Sequence, residues 1–382
     1  MHRAVDNLLI QGENLQVLRH LADTHAGRVR MVYIDPPYNT GSGDYLYADA
    51  MPRAQWLSFM AERLEAARPL LVDDAVIAIQ CSFHQSAHLE VLLDATPWLH
   101  KVMVLHVLVR HPDRALTADK QFNDVVEQIL IYSTDPRFRM PRRIRERDLS
   151  QYRWDVEITG PGTPAELGGR ACRIYRPEEW RKVDNGAGEG TFRTHSIRGS
   201  LREKNSSGRF WVAHLEGLGL EPMSLIQVPD IGDDGLGHRF FHTPKSGNRN
   251  GSYFQGVPQS SDVTALPYPN FADFHAEFNR VSTEGGVSFR NGKKPEALLR
   301  FLIELFTAPG DVVLDYHLGS GTTAAVALKL GRRFLGVERE DFAETVALAR
   351  LRAVIAGEQS GISADVGWTG GGSVEFHRLR HL

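Results

Sequence analysis

Strand and helix signals alternate along residues 6–135, stop, and resume at residue 293. Alternation of this kind builds parallel βαβ units. The chain is therefore expected to form an α/β fold whose sequence is split by an insertion. In the first block Asn7-Leu8-Leu9-Ile10 reads as a strand, and Leu15, Leu18 and Leu21 recur at helical spacing. Trp56, Leu57, Met60, Leu64 and Leu70-Leu71 form an amphipathic helix. Val76-Ile77-Ala78-Ile79 is a short buried strand, Leu89, Leu92 and Leu93 mark a helix, and residues 102–109 and 125–132 contain two further strands. In the second block Pro295 sits in the first turn of a helix bearing Leu298, Leu299, Leu302, Ile303 and Phe306. The strand Val312-Val313-Leu314, a helix over 322–330, a strand over 333–337 and a helix with Val346, Leu348, Leu351 and Val354 follow. Between the blocks periodicity is weak and Gly, Pro, Asn and Ser are frequent, which suits a loop-rich α+β or β-rich module. The expected domains are 1–136, 137–290 and 291–382.

Bulk properties narrow the class. A chain of 382 residues implies two domains, or one with a large insertion. Two cysteines far apart in sequence give neither a disulfide framework nor zinc spacing, so no metal is expected. No apolar run approaches the roughly 18 residues of a membrane span, and there is no basic-then-apolar signal pattern, so a cytoplasmic enzyme is expected. The net charge of -3 argues against a generic polyanion binder. The average hides a patch, because residues 137–209 carry 17 Lys/Arg against 10 Asp/Glu. Arg137, Arg139, Arg142, Arg143, Arg145, Arg147 and Arg153 lie close together there, with Lys182, Arg193, Lys204 and Arg209 beyond them. That asymmetry suggests a nucleic-acid contact surface, with a solvated basic segment as the bland reading.

Two stretches carry chemistry. The apolar run Arg30-Met31-Val32-Tyr33-Ile34 leads into Asp35-Pro36-Pro37-Tyr38. The prolines end the strand and stiffen the loop after it. A carboxylate, rigid carbonyls and a ring at the carboxyl end of a strand suit a planar amine. The second stretch is Val312-Val313-Leu314-Asp315-Tyr316-His317-Leu318-Gly319-Ser320-Gly321-Thr322, a strand, then Gly-x-Gly, then a helix. The glycines admit a ligand to the backbone and the helix start offers amide donors. Glu338 follows the next strand, where an acid receives ribose hydroxyls. With two glycines and no Gly-Lys-Ser/Thr loop, a cofactor with an adenosine and no pyrophosphate fits, and S-adenosylmethionine is such a molecule.

Together the two motifs resemble the amino-methyltransferases of DNA. Asp35-Pro36-Pro37-Tyr38 precedes Gly319-Ser320-Gly321-Thr322 with the insertion between them, which resembles the circularly permuted β group. Gly12-Glu13-Asn14 and Gly292-Lys293-Lys294-Pro295-Glu296 resemble two further motifs of that group. Glu284-Gly285-Gly286-Val287, Gly357-Glu358-Gln359-Ser360-Gly361-Ile362-Ser363 and Trp368-Thr369-Gly370-Gly371-Gly372-Ser373 resemble the modification subunit of type III restriction–modification systems.

The resemblance implies a permuted Rossmann-like α/β methyltransferase fold with a target recognition domain inserted. It implies methyl transfer from S-adenosylmethionine to adenine N6 of a flipped-out base. Asp35, Pro36, Pro37 and Tyr38 would be catalytic. Glu13, Asn14, Lys294, Pro295, Asp315, His317, Gly319, Ser320, Gly321, Thr322 and Glu338 would bind the cofactor. Arg137, Arg139, Arg142, Arg143 and Arg145 would contact DNA phosphates. The implied partners are double-stranded DNA, a second copy of the chain and a restriction (helicase–nuclease) subunit, with a solitary methyltransferase as the alternative. The chain departs from the family at His317, at Leu318 and in Gln80-Cys81-Ser82-Phe83-His84-Gln85. Competing readings are cytosine-N4 methylation and a DNA-binding specificity subunit of weakened catalysis. RNA or a protein glutamine could also present a planar amine.

Overall fold

The computed structural model describes residues 7–39, 51–113, 122–144, 148–188, 190–259, 265–289 and 292–379. The two alternating blocks share one sheet. Its strands in chain order are β1 (Leu8–Gln11), β2 (Val29–Ile34), β3 (Leu71–Cys81), β4 (His100–Leu108), β5 (Val126–Ser133), β6 (Phe271–Asp273), β7 (Val312–Asp315), β8 (Arg333–Glu338) and β9 (Glu375–Arg378). Their spatial order is β6-β4-β5-β3-β2-β7-β8-β1-β9. Neighbours run parallel. The exception is β5, antiparallel to both β3 and β4. β2 and β7 are distant in sequence yet adjacent in space, with Met31 opposite Val313 and Val32 opposite Leu314. The catalytic and glycine motifs thus leave the same edge of the sheet side by side, where a permuted α/β fold keeps its ligand site.

The sheet is covered on both faces, so its central strands are near-continuous apolar runs. Successive side chains part to opposite faces. Val32, Ile34, Ile77, Ile79 and Leu314 pack with Leu18 and Leu21 of α1 (Asn14–His25), Trp56, Met60 and Leu64 of α2 (Arg53–Ala67), and Leu89 and Leu93 of α3 (Ser86–Asp94). Met31, Tyr33, Val76, Ala78 and Val313 pack with Leu298, Leu302 and Ile303 of α4 (Glu296–Phe306), Ala324 and Val326 of α5 (Thr322–Lys329), and Leu351 and Val354 of α6 (Ala349–Ile355). Each fully buried aliphatic contributes about 1.5–3 kcal/mol.

Several expectations shift. Pro69 lies in a 3₁₀ turn, Arg68–Leu70, so α2 ends at Ala67 and Leu71 opens β3. Pro295 caps α4 from outside its first turn, with extended backbone (φ -71, ψ 142). β6 and β9 carry no apolar run and escape a reading by periodicity; each is held by ladder bonds to one neighbour. β5 follows β4 directly in the sheet and runs antiparallel to it, with no helix among the described residues of the connection.

The compact units are residues 1–141 with 267–382, and residues 142–266. The insertion is therefore shorter than the expected 137–290. Residues 267–289 return to the first unit because β6 pairs with β4 and Phe274 and Phe278 pack on its core. The smaller unit is β-rich. Its main sheet is antiparallel, in the order 193–196, 252–255, 238–242, 225–229, 170–175 and 163–167. Its own core includes Ile197, Trp211, Ile226, Val228, Phe241 and Tyr253. No helix among the described residues is long and apolar enough to cross a membrane.

Candidate active site

A cavity opens where β2, β7 and β8 end. Asp35, Pro37, Asp315, Tyr316, His317, Gly319 and Glu338 line it, with Glu13, Asn14 and Arg63 on one side and Phe289 and Phe342 on another. The Asp-Pro-Pro-Tyr loop is fixed from behind, because Trp56 Nε1 donates to the Pro37 carbonyl at 2.8 Å. Asn39, at φ 53, exchanges hydrogen bonds with the Met51 backbone at 2.8 and 2.7 Å.

Asp35 is the centre of the site. Its Oδ2 lies 3.2 Å from Lys294 Nζ. Its Oδ1 is shielded from solvent and has no hydrogen-bond partner among the described residues. Burial pushes the carboxyl up, Lys294 pulls it down and Glu127 pushes it up again, which leaves it at about 6. Glu127 Oε2 accepts from Tyr38 Oη at 2.8 Å, from Gln80 Nε2 at 2.5 Å and from Lys294 Nζ at 3.0 Å. Tyr33 Oη donates to Gln80 Oε1 at 2.5 Å, and Lys294 Nζ reaches Tyr38 Oη at 2.9 Å.

On the glycine side, Asp315 accepts from the His317 amide at 2.9 Å and from Thr323 Oγ1 at 2.6 Å. Burial nonetheless pushes it up to about 7. Glu338 accepts from the amides of Gly319, Arg339 and Glu340 at 2.8, 2.8 and 3.1 Å. Burial raises its pKa. Gly319 and Gly321 take positive φ, 55 and 82. A Cβ on Gly319 would meet nothing nearer than Phe289 at 3.9 Å, so this backbone faces open space. Burial, with Arg63 nearby, drives His317 down to about 3, so its ring is neutral.

Residues 29–348 match the N6/N4 methyltransferase family, described as DNA methylase. The chain belongs to that family. The probable type III restriction-modification enzyme HindVI Mod subunit of Haemophilus influenzae is 32% identical over 417 residues, covering 98% of this chain and 54% of that protein. The type III restriction-modification enzyme EcoPI Mod subunit of Escherichia phage P1 is 24% identical over 398 residues, covering 88% and 58%. The type II methyltransferase M.EcaI of Enterobacter cloacae is 23% identical over 355 residues, covering 90% and 69%. The chain spans about half the length of the type III relatives. Among solved structures, PvuII DNA methyltransferase (cytosine-N4-specific) aligns with a TM-score of 0.46 at 10% identity, covering 98% of this chain and 96% of that one.

In this member of the family most of the expected site residues converge. Glu13, Asn14, Lys294, Asp315, His317, Gly319, Ser320, Thr322 and Glu338 all line the cavity with Asp35 and Pro37. Pro36, Tyr38, Pro295 and Gly321 are not among its lining residues. Lys294, expected on the cofactor, lines the cavity, and its ammonium also lies against Asp35, Glu127 and Tyr38. The arginine run is divided between the two units. Arg137 and Arg139 belong to the first unit, Arg142 and Arg143 to the second, and Arg145 lies outside the described residues. Arg137 pairs with Asp135 at 3.4 Å and Arg142 donates to the Ala265 carbonyl at 3.4 Å.

Arg63 and Glu127 escaped the sequence reading, and Gln80 entered it only as a departure from the family pattern. Arg63 is buried, donates to Asn14 Oδ1 at 2.5 Å, pairs with Glu13 and stacks 3.4 Å from the Phe59 ring centroid. Its signal was an arginine on the apolar stripe of α2. Gln80 and Glu127 are polar residues inside or at the end of apolar strands, which is the mark of a buried polar network.

A second network underlies the glycine loop. Arg350 Nη1 donates to Thr322 Oγ1 at 2.6 Å, and its Nη2 pairs with Glu296 Oε1 at 2.8 Å. Lys329 pairs with Glu296 Oε2 at 2.7 Å and with Glu358. Glu284 Oε2 accepts from the Glu296 amide at 2.9 Å, and Ser360 Oγ lies 2.6 Å from the Gly285 amide. The stretches at 284–287 and 357–363, which resemble type III modification subunits, thus meet the 292–296 motif in one buried cluster.

Proposed function

We propose that the chain is a site-specific DNA methyltransferase that moves a methyl group from S-adenosylmethionine to adenine N6. We take it to act as the modification subunit of a type III restriction–modification system. The observation that carries this reading is Asp35 Oδ1, a shielded acceptor without a partner at the mouth of a cavity walled by the glycine loop. The names of the relatives support the type III assignment.

The cavity residues fit the cofactor. Glu338 would take the ribose, Phe289, Phe342 and Leu318 the adenine, and Glu13 and Asn14 the amino-acid end. When bound, S-adenosylmethionine supplies an electrophilic methyl group. Asp35 Oδ1 and the Pro36 carbonyl would accept the two hydrogens of the target amine. That favours a pyramidal nitrogen with a localised lone pair, an effect strongest in the transition state. Tyr38, its hydroxyl pinned by Glu127, would present its ring to the base. The rest of the contribution is orientation. A base inside a duplex cannot reach such a cavity, so it would be flipped out.

Arginines at 137–143, with the basic residues of the smaller unit, would contact DNA phosphates. A restriction subunit and a second copy of the chain are the partners this assignment entails. The test is tritiated methyl transfer to DNA with sequencing of the modified bases. The wild-type chain is expected to yield N6-methyladenine, and Asp35→Ala to lose transfer while retaining cofactor binding by calorimetry. Methylcytosine as the product, or turnover by Asp35→Ala, would refute the assignment.

A further inference from the structure

The cluster of Asp35, Lys294 and Glu127 holds one carboxylate more than its cation balances. Lys294 Nζ sits between Asp35 Oδ2 at 3.2 Å and Glu127 Oε2 at 3.0 Å. A lysine whose only task was to offset a buried aspartate would leave a neutral pair. A second carboxylate added to that pair costs desolvation unless it does something else. Here it is held ionised by donors from three elements, namely Gln80 at the end of β3, Tyr38 in the catalytic loop, and Lys294 before α4. Burial acts to raise the Glu127 carboxyl, and Lys294 with those hydrogen bonds brings it below the ordinary value.

We propose that Glu127 is a positioning residue for amine methylation. It anchors Lys294 and Tyr38, and it leaves the Asp35–Lys294–Glu127 cluster with a net charge of -1 facing the amine. This rests on the methyltransferase reading of the site. In the step, the amine nitrogen forms a bond to the methyl carbon while the carbon–sulfur bond breaks with its electron pair on sulfur. The positive charge passes from sulfur to nitrogen, and the nitrogen then gives a proton to Asp35 Oδ1. A largely buried cluster with one surplus negative charge stabilises the cation at nitrogen better than a neutral pair.

Charge counting makes the test specific. Glu127→Gln is nearly isosteric and leaves Asp35 and Lys294 neutral as a pair. It is expected to lower kcat at least about tenfold. Other groups facing Asp35 are Tyr33, Tyr38, Asp315 and the buried Cys81 thiol, and these remain. With a negative neighbour gone, the acid limb of kcat should move to lower pH. Lys294→Met should move it to higher pH. The double variant E127Q/K294M restores a net charge of -1 and should be faster than E127Q alone at alkaline pH. In parallel, the affinity ratio for cationic S-adenosylmethionine over neutral S-adenosylhomocysteine should fall several-fold in E127Q. Melting curves with each ligand verify folding. A kcat within twofold of wild type, an unmoved acid limb, or a double variant no faster than E127Q overturns the proposal. If the wild-type chain transfers no methyl group, the methyltransferase reading fails, and the affinity ratio alone then decides whether Glu127 sets the charge of the site.

Discussion

Asp35 is held between opposing influences, burial and Glu127 pushing its carboxyl up and Lys294 holding it near 6. Only the ionised form can accept both an amine hydrogen and, later, a proton. Methyl transfer is therefore expected to fall as pH drops through about 6, measured as kcat under saturating cofactor and DNA. Gly321 gives a second prediction at this scale. At φ 82 it caps α5, and a Cβ there would meet Ala347 at 3.3 Å. Gly321→Ala should cost roughly 1–2 kcal/mol from the left-handed backbone alone, read as a lower melting temperature. Asp35 and Gly321 were legible because short motifs fix backbone and chemistry together. Glu127, Gln80 and Arg63 were not, since a lone polar residue in an apolar run names no partner.

At the scale of elements, the buried cluster of Glu296, Lys329 and Arg350 ties α4, α5 and α6 to the glycine loop. All three side chains are fully buried. Arg350→Met leaves Glu296 with one cation fewer and frees Thr322. It should cost about 3–5 kcal/mol by chemical denaturation, with loss of cofactor affinity. Replacing Glu296 as well, by Leu, should return part of that loss in a double-mutant cycle. The helices themselves were readable from periodicity. β6 and β9 were not, because edge strands of three and four residues with exposed side chains draw their stability from the neighbouring ladder.

For the whole molecule, the division into two units has a practical consequence. Arg143–Ile144 pairs with Ala265–Leu266, which closes the ends of the smaller unit on each other. Replacing residues 143–266 with a short Gly/Ser linker is expected to leave a folded sheet unit. That protein should bind S-adenosylmethionine by calorimetry and fail to methylate DNA. Stability should also vary with pH. Burial raises Asp315 and Glu284 to about 7, above their ordinary values. Their contribution to stability is full at low pH and is lost as pH rises through about 7. His317 and His195, driven down by burial to about 3 and about 4, oppose this as the unfolded imidazoles lose their protons through about 6.5. Measured against Asp315→Asn at the same pH, the wild-type melting temperature should therefore fall from pH 5 to pH 8.

The sequence by itself determined the α/β alternation, its interruption, and the two motifs that flank the cavity, since each is encoded by local periodicity or by prolines and glycines at fixed offsets. Only the tertiary structure decided that β2 and β7 lie side by side, that the insertion runs from 142 to 266, and that Lys294, in the cavity lining, lies between Asp35 and Glu127. The reason is physical. Strand order, unit boundaries and the partner of a buried charge are set by contacts between residues far apart in the chain, and no local pattern records them.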